Sequence, residues 1–271
     1  MGLGREGVAK VTELGAVTSA RLPGGSDLER AQHFVITRFH VAVPQRLPDG
    51  SVIQSLSSDE WLRHRRIYFE KYCLPSMARQ TRQDFEWILL YEAESPDWVG
   101  EYLSQIDSVN VHPLEMRPSS PDIASIVHDL ATSPIVITTR LDNDDALAYS
   151  YAQRLRQVKV DRFPSAINFV NGLRVTGSGL LKARHTSNPF ASLVEDRRKG
   201  TLQTIYSGSH DDLHLTYPVV QVAGDAAWMQ CIHDRNLANV AAGLPARAAR
   251  YRDDFPGLDD VRHWSPKTYF S

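Results

Sequence analysis

The chain has 271 residues, 42% of them hydrophobic and 23% charged, and a formal net charge of −2. Such a composition is typical of a globular protein, and the length is sufficient for one large domain. The small net charge gives no electrostatic basis for binding nucleic acid or an anionic membrane surface, so neither partner is expected.

The ends of the chain and its cysteines exclude further classes of protein. Residues 1–32 are polar and rich in glycine, without the apolar segment of a secretory signal, and no apolar stretch approaches the length of a membrane span. Cys73 and Cys231 lie far apart, which excludes a disulfide framework or a thiolate zinc site and favours a reducing cytoplasm. We expect a loosely ordered extension over 1–32, a main domain over 33–245, and a tail over 246–271 that wraps the surface or is mobile.

Strands and helices alternate in the first half of the predicted domain. Strand predictions rest on short apolar, β-branched runs, and helix predictions rest on apolar residues at helical spacing. Ser57 and Glu60 match a capping box, and Ser120-Pro121-Asp122 matches a helix start with proline in the first turn. The predicted order is strand 33–41, helix 57–77, strand 85–91, helix 98–106, strand 109–114, helix 120–130 and strand 135–141. This alternation predicts an α/β fold with a mostly parallel sheet flanked by helices and right-handed crossovers.

The second half of the domain has a different pattern. Residues 166–170 and 173–176 are predicted to form a hairpin around Asn171-Gly172, a turn-forming dipeptide. A strand over 218–222 follows, and the last predicted helix runs from about Asp225 to Val240. We expect this part to form a smaller mixed region beside the parallel sheet.

The run from Ile135 to Asp145 is the strongest functional signal. A β-branched, apolar stretch ends in Asp142, Asp144 and Asp145, three carboxylates within four residues. A strand in the middle of a sheet would bring them out at its carboxyl end, where open α/β sheets bind ligands. Crowded carboxylates repel one another unless a cation or hydrogen-bond donors lie between them. Mg²⁺ and similar ions bridge such carboxylates to phosphates, so the pattern indicates a metal–diphosphate site.

The same turn has other possible structural roles. Clusters of Asp and Asn after a strand are often plain turns, and Asp145 before Ala146 would also suit a helix N-cap. An EF-hand loop requires glycine at its sixth position and glutamate at its twelfth, but these positions hold Leu147 and Gln153. The chain has no Gly-x-Gly-x-x-Gly after its first strand and no Gly-x-x-x-x-Gly-Lys, so a nucleotide would have to be held by a metal ion instead.

Several separated blocks resemble those of the bacterial putative rhamnosyltransferase family. They are the segment from Arg66 to Ser76, Gln80-Thr81, Phe85-x-Trp87, the segment from Arg140 to Leu147, and Trp228-Met229-Gln230-x-x-His233-x-x-Asn236. More broadly, the chain resembles nucleotide-sugar glycosyltransferases of the GT-A fold over roughly residues 33 to 240. The resemblance implies a Rossmann-like sheet with a smaller mixed C-terminal region on the acceptor side.

The resemblance also implies a donor site around the acidic turn. Asp142, Asn143 and Asp144 correspond to its Asp-x-Asp motif, with Asp144 as the metal ligand and Asp142 facing the ribose or sharing the ion. Asp145 is a supporting or capping residue as readily as a ligand. The residues implied in donor binding are Thr37 and Arg38 at the end of the first strand, Glu92 at the end of the second, and Arg140, Asp142 and Asn143.

The last predicted helix carries two further candidates. Asp225 resembles the carboxylate that inverting GT-A enzymes keep at a helix start, where it takes the proton of the acceptor hydroxyl; an N-cap is its alternative role. His233 corresponds to the late histidine that often completes the metal coordination, and imidazole suits Mn²⁺; simple packing is its alternative. Glu195 and Asp196 are alternative carboxylates, although the following Arg197-Arg198-Lys199 is typical of a solvated charge run.

Three histidines in predicted loops, His185, His210 and His214, could contact the acceptor or the diphosphate, and spacing does not rank them.

The acidic turn and the family resemblance together predict a glycosyltransferase that uses Mn²⁺ or Mg²⁺ and moves a sugar from a nucleoside-diphosphate donor to a carbohydrate or other hydroxyl acceptor, with inversion. The family's name suggests rhamnose as the sugar. The alternatives are a nucleotidyltransferase, although its usual basic Gly-rich loop is missing, and a non-catalytic nucleotide- or carbohydrate-binding protein.

Overall fold

The computed structural model describes residues 28–46, 52–55, 58–107, 110–117, 120, 122–233 and 242–261. Several sequence predictions fall outside these ranges, namely residues 1–27 of the extension, Ser57, Pro121, the segment 234–240 and the tail after 261. Within the described ranges, no helix combines the length and the apolar character that crossing a lipid bilayer requires.

Strands and helices follow one another along the described chain. The strands are β1 (Gln32–His40), β2 (Val43–Arg46), β3 (Val52–Ser55), β4 (Phe85–Glu92), β5 (Val111–Met116), β6 (Ile135–Arg140), β7 (Ala146–Leu147), β8 (Ser165–Phe169), β9 (Asn171–Thr176), β10 (Gly179–Arg184), β11 (Ser192–Asp196), β12 (Val219–Val222), β13 (Trp228–Cys231) and β14 (Leu244–Ala246). The helices are α1 (Asp59–Tyr68), α2 (Leu74–Ala78), α3 (Trp98–Ser104), α4 (Ile123–Leu130), α5 (Tyr151–Arg156) and α6 (Leu213–Thr216). A π-helical segment, Phe69–Cys73, joins α1 to α2.

A seven-stranded sheet in the order β12-β8-β11-β6-β1-β4-β5 forms the centre of the molecule. β6, β1, β4 and β5 are parallel to one another, and β12 is parallel to β8, whereas β11 runs antiparallel to both of its neighbours. Phe34, Val35 and Ile36 of β1 are all buried although they alternate between the two faces, because both faces of the sheet are covered. The predicted α/β fold with a mostly parallel sheet is confirmed.

A second, five-stranded sheet has the order β14-β10-β9-β13-β7. The predicted hairpin around Asn171-Gly172 is wrong, because β8 belongs to the first sheet and β9 to the second. A two-residue turn of the expected type needs positive φ, and neither residue has it. Instead Asn171 and Gly172 pair with Arg184 and Ala183, and the hairpin turns at Gly177-Ser178, between β9 and β10.

The predicted helix from Asp225 to Val240 is also wrong over its described part. Trp228–Cys231 is strand β13, which pairs with β9 on one side and β7 on the other. Trp228 and Met229 are adjacent and both buried, at 1% and 0% exposure, which a strand between two layers allows. Pairing on both edges therefore overrides the helical spacing that the sequence offered.

Three predicted helix starts are shifted or absent. Helix α1 is capped by Ser58, whose hydroxyl accepts from the Trp61 amide, rather than by Ser57. Helix α4 is capped by Asp122, which accepts from the Ser125 amide at 2.7 Å, and not by Ser120. Asp145 caps no helix, since β7 follows it directly.

The chain outside the predicted 33–245 domain also packs against the sheets where the structure describes it. Leu28 is 1% exposed, and its carbonyl accepts a hydrogen bond from Arg156 at 2.9 Å. In the tail, Phe255 and Leu258 are buried beside the second sheet. Gly257 has φ of +67° and lies directly against the Tyr72 ring, where a side chain would not fit.

His33, buried in β1, provides a test of this packing. Its Nε2 contacts the Thr139 hydroxyl at 2.7 Å, and burial, together with the Arg156 guanidinium, lowers the pKa of its ring to about 3. The unfolded chain therefore binds a proton between pH 6.5 and 3 that the folded chain excludes, so stability falls as the pH falls through that window. Between pH 7 and pH 5 we expect a loss of about 2 kcal/mol from this histidine.

Urea unfolding at the two pH values checks this expectation. His33→Gln should lack this part of the loss, whereas His112→Gln, at an exposed histidine, should keep it. Equal losses in wild type and His33→Gln would contradict it.

Candidate functional site

The acidic turn, residues 142–145, forms the corner between the two sheets. It leaves the main sheet at the carboxyl end of β6 and enters the second sheet at β7. Asn143 donates from Nδ2 to the Phe39 carbonyl at 2.8 Å, and Asp145 accepts from the Cys231 amide at 2.8 Å. Both side chains are buried, so they anchor the turn to β1 and to β13. Burial and the Asp142 charge raise the pKa of Asp145 to about 8.

Asp144 lies between these two anchors and meets Arg65 and His233. Its Oδ2 is 3.1 Å from His233 Nε2 and forms a salt bridge with Arg65 Nη1. Arg65 Nη1 is also 3.2 Å from His233 Nε2. Three groups therefore converge on one point, and a single ring nitrogen cannot both accept from Arg65 and donate to Asp144.

Helix α1 holds this cluster in position. Tyr68 stacks on the His233 ring with 4.4 Å between centroids, and the His64 ring meets it edge-on at 5.4 Å. His64, Arg65 and Tyr68 are neighbours on the helix surface, since they are one turn apart or adjacent. Arg65 is 14% exposed, lies over the Trp61 ring at 4.7 Å, and has no hydrogen-bond partner at its buried Nε.

Asp142 lies on the other side of the corner and is bound by Arg140. The guanidinium donates to both carboxylate oxygens, at 3.2 and 2.9 Å. Burial by itself raises the pKa of Asp142, but the Arg140 charge and hydrogen bond outweigh it and hold the pKa below its usual value. Arg38 and Arg140 both lie over the Tyr206 ring, at 5.1 and 5.7 Å. Two arginines and one carboxylate thus lie together at the carboxyl ends of β1 and β6.

Three residues implied in donor binding have structural partners instead. Thr37 is 0% exposed, and its hydroxyl accepts from the Trp87 indole at 3.0 Å, so it lies inside the sheet and not in the cleft. Glu92 accepts from the Ala42 amide at 2.8 Å and fixes the chain after β1. Asn143 likewise uses its amide on the Phe39 carbonyl. Of the predicted donor residues, Arg38, Arg140 and Asp142 are the ones that the structure brings together.

Asp225 lies apart from this corner, in the loop between β12 and β13 rather than at a helix start. It follows β12 at the same carboxyl edge, but three strand spacings separate β12 from β6, roughly 14 Å. It lines a separate cavity, where Arg154 donates to its backbone carbonyl at 2.9 Å. Its role as general base stays a prediction, without the helix dipole that a helix start would provide.

The alternative carboxylates lie elsewhere. Glu195 is buried and accepts from the Gln203 and Thr204 amides at 2.7 and 3.0 Å, so it is not part of a solvated charge run. It pairs with Val136, near the amino end of β6, which places it far from the acidic turn. Asp196 forms a salt bridge with Arg198 at 2.8 Å.

Of the three loop histidines, His210 is the one near the corner. Burial lowers the pKa of its ring, and the charges of Asp211, Arg140, Asp142 and His185 also act on it. The Asp211 carboxylate is 3.6 Å from its Nε2. His214 contacts the Asp211 carbonyl on the exposed side of α6. The structure therefore ranks His210 and His185 above His214.

Two residues at this corner, Arg65 and Tyr206, were not predicted from the sequence. Arg65 directly precedes the family-like block that begins at Arg66, so only its position in the chain would have drawn attention to it. Among the described residues, no group of three His, Cys, Asp or Glu side chains is arranged to hold a metal ion. Of the three predicted metal ligands, Asp144 and His233 contact each other, whereas Asp142 is bound by Arg140; metal binding by any of them stays a prediction.

The class of protein that the family match defines is a glycosyltransferase. The chain belongs to the putative rhamnosyl transferase family, whose model matches residues 50–244. No curated protein matches the sequence.

Solved structures with a similar fold share little sequence with the chain. S. aureus TarS 1–349 in complex with UDP-GlcNAc is 11% identical with a TM-score of 0.47, and the alignment covers 78% of this chain and 62% of TarS. The glycosyltransferase GlyE of Streptococcus pneumoniae TIGR4 is 9% identical with a TM-score of 0.32, over 71% of this chain and 45% of GlyE. The inositol-1-phosphate CTP transferase from T. maritima is 10% identical with a TM-score of 0.36, over 76% and 90% of the two chains. The chain thus spans less than two thirds of the length of TarS 1–349.

Proposed function

We propose that the protein transfers a sugar from a nucleoside-diphosphate donor to an acceptor hydroxyl, with a divalent ion at Asp144 and His233. The observation that carries this proposal is the convergence of these two side chains at the carboxyl edge of the parallel sheet, where such folds bind ligands. The family description makes nucleoside-diphospho-rhamnose the first donor to test.

The geometry of the pair fits a bound ion. Two ligands at about 2.1 Å from one ion and at a right angle to each other are separated by about 3.0 Å. The 3.1 Å between Asp144 Oδ2 and His233 Nε2 is compatible with that value, and Arg65, which contacts both atoms, would have to give way to the ion. One carboxylate and one imidazole suit Mn²⁺, or Mg²⁺ with diphosphate oxygens and water as its other ligands. A bound ion would neutralise and orient the leaving diphosphate.

Arg38, Arg140 and Asp142 are proposed to bind the nucleotide part of the donor. Guanidinium groups pair with phosphate oxygens, and a carboxylate accepts hydrogen bonds from ribose hydroxyls. Because Arg140 already holds Asp142 by two hydrogen bonds, the carboxylate is fixed in one orientation before the donor arrives. The same pairing is the reason that we assign Asp142 to the nucleotide and not to the ion.

In the proposed reaction the acceptor oxygen bonds to the anomeric carbon on the face opposite the diphosphate, whose bond to that carbon breaks. The configuration is therefore inverted, and the acceptor proton passes to a general base, which must lie within hydrogen-bond reach of the hydroxyl. Asp225 can do this only if the acceptor hydroxyl lies on the β12 side of the corner. The His210–Asp211 pair is nearer to Asp142, and its lowered histidine pKa favours the neutral ring that a base requires.

A thermal-shift screen of nucleoside diphosphates, with and without Mn²⁺ or Mg²⁺, tests the proposal. Because a ligand that binds only the folded state raises its stability, the cognate nucleotide should raise Tm by several degrees, and more so with the ion. Release of free nucleoside diphosphate from the matching nucleotide sugar should follow. Failure of every nucleotide to stabilise the protein would contradict the proposal.

Analysis of the reaction products, together with the thermal shift, separates the two rival functions. A nucleotidyltransferase would release pyrophosphate from a nucleoside triphosphate and a sugar phosphate. A binding protein would show the thermal shift without turnover of any donor.

A further inference from the structure

The cavity that Asp225 lines lies between the second sheet and the described part of the tail. Its volume is about 600 Å³, which is within the usual range for small-molecule sites. β9 and β10 provide one wall, the loop with Asp225 provides another, and Tyr251 and Asp254 of the tail close it.

The walls of the cavity carry more positive than negative charge. Four basic side chains line it, from Arg174, Lys182, Arg184 and Arg250. Its two acidic side chains are those of Asp225 and Asp254. None of the four basic residues forms a salt bridge with a carboxylate in the part of the chain that is described, whereas the arginines at the donor corner, Arg65 and Arg140, each do.

The two carboxylates act electrostatically on a cation outside the cavity lining, Arg154. Arg154, which does not line the cavity, is subject to the charges of both Asp225 and Asp254, and these oppose the lowering of its pKa by burial. Burial and the Asp225 charge raise the pKa of Asp254. The charge of Arg154 therefore partly offsets that of the two carboxylates, and the four basic residues of the lining form no salt bridge with any described residue.

Arg174 illustrates that excess of charge. It donates to the Gln230 side chain at 3.2 Å and to the Ala242 carbonyl at 2.7 Å, which are both neutral acceptors. Burial lowers its pKa, and among the described residues no carboxylate acts on it in the opposite direction. A partly buried guanidinium that has only neutral partners is stabilised by an anion more than by a neutral ligand.

We propose that this cavity binds an anionic group, a phosphate or a carboxylate, carried by the glycosyl acceptor. The inference rests on the proposed function for the word acceptor, but the charge of the ligand follows from the cavity alone. Lys182 and Arg184 are exposed on β10, line the cavity and form no salt bridge with any described residue, so they can bind such a group. Arginine and lysine are the side chains that bind phosphate and carboxylate groups most effectively.

The test uses a double variant, Lys182→Gln/Arg184→Gln, and a matched control, Lys159→Gln/Lys199→Gln, which removes two exposed charges elsewhere. Calorimetric titration with glucose 6-phosphate, glucuronate and neutral glucose measures binding to each protein. We expect one or both anions to bind the wild type and the control, and to bind the double variant at least about tenfold more weakly. Tight binding by the phosphate alone or by the carboxylate alone identifies the anionic group.

Three results would overturn the inference: no saturable binding of either anion to the wild type, equal affinity in the double variant, or glucose binding as tightly as the anions. The thermal shift by the cognate nucleoside diphosphate is measured on the same proteins. That shift should be the same in all of them, because Lys182 and Arg184 are outside the donor corner. Its absence from the wild type would be a failure of the proposed function and not of the anionic cavity.

Discussion

Replacing Asp144 by asparagine is expected to abolish ion-dependent binding of the nucleoside diphosphate. An amide carries no charge and is a weak ligand for a divalent ion, so the affinity should fall by more than the roughly 10- to 100-fold seen when supporting residues of metal sites are lost. Calorimetric titration of the cognate nucleotide with Mn²⁺ measures the effect. Asp129→Asn, which removes an exposed carboxylate from α4, is the matched control.

Loss of the Asp144 charge also leaves Arg65 without its carboxylate, and this must be separated from the loss of the ion site. Breaking a buried ion pair costs about 3 to 5 kcal/mol, so Asp144→Asn alone is expected to lower Tm. The double variant Arg65→Gln/Asp144→Asn removes both charges and should recover most of that stability, but not the ion-dependent affinity. Unchanged Mn²⁺-dependent affinity in a folded double variant would rule out Asp144 as the ligand.

Replacing Gly172 by alanine is expected to destabilise the fold severely. A Cβ at this position would lie 2.1 to 2.4 Å from three atoms of the Trp228 ring. The ring cannot move aside easily, because it stacks on Phe190 with 5.0 Å between centroids and its Nε1 donates to the Phe169 carbonyl at 2.7 Å. Overpacking of this kind costs about 1 to 3 kcal/mol and occasionally more, and we expect the upper end.

Urea unfolding checks the prediction, with Gly177→Ala as the control, since nothing lies within 4 Å of a Cβ at that position. If the two variants have equal stability, the close contact between β9 and the Trp228 ring is not present in solution. Loss of stability in Gly172→Ala alone supports it.

The parallel sheet was predictable because each of its strands is a short apolar, β-branched run that can be recognised from the local sequence. The apolar run that ends at Arg140 needs no distant partner to be recognised, and its carboxyl end fixed the place of Asp142 and Asp144. The second sheet was not predictable in the same way. Asn171-Gly172 is a turn dipeptide by its own chemistry, but pairing with distant strands and the space taken by Trp228 decide its conformation.

In the candidate site, too, local sequence patterns were predictive and contacts between distant segments were not. His233 was predicted to bind a metal ion together with Asp144, and that role stays a prediction. The structure brings the two side chains together, with His233 two residues after the end of β13 and not on a helix. Arg65 was missed because nothing in its local sequence distinguishes it from the arginines around it. Its role depends on how α1 packs over the corner between the sheets, which is a property of the tertiary fold.

The Arg65 guanidinium is a counter-ion for the Asp144 carboxylate within the protein itself. Since Arg65 Nη1 contacts both Asp144 and His233, an ion that binds these two groups must exchange with the guanidinium, and its apparent affinity is lowered by the cost of that exchange. A free ion offers the displaced guanidinium no new partner. An ion that arrives already complexed to a diphosphate brings phosphate oxygens to which the guanidinium can transfer. The corner would thus discriminate between a bare cation and its nucleotide complex, and would load the two together.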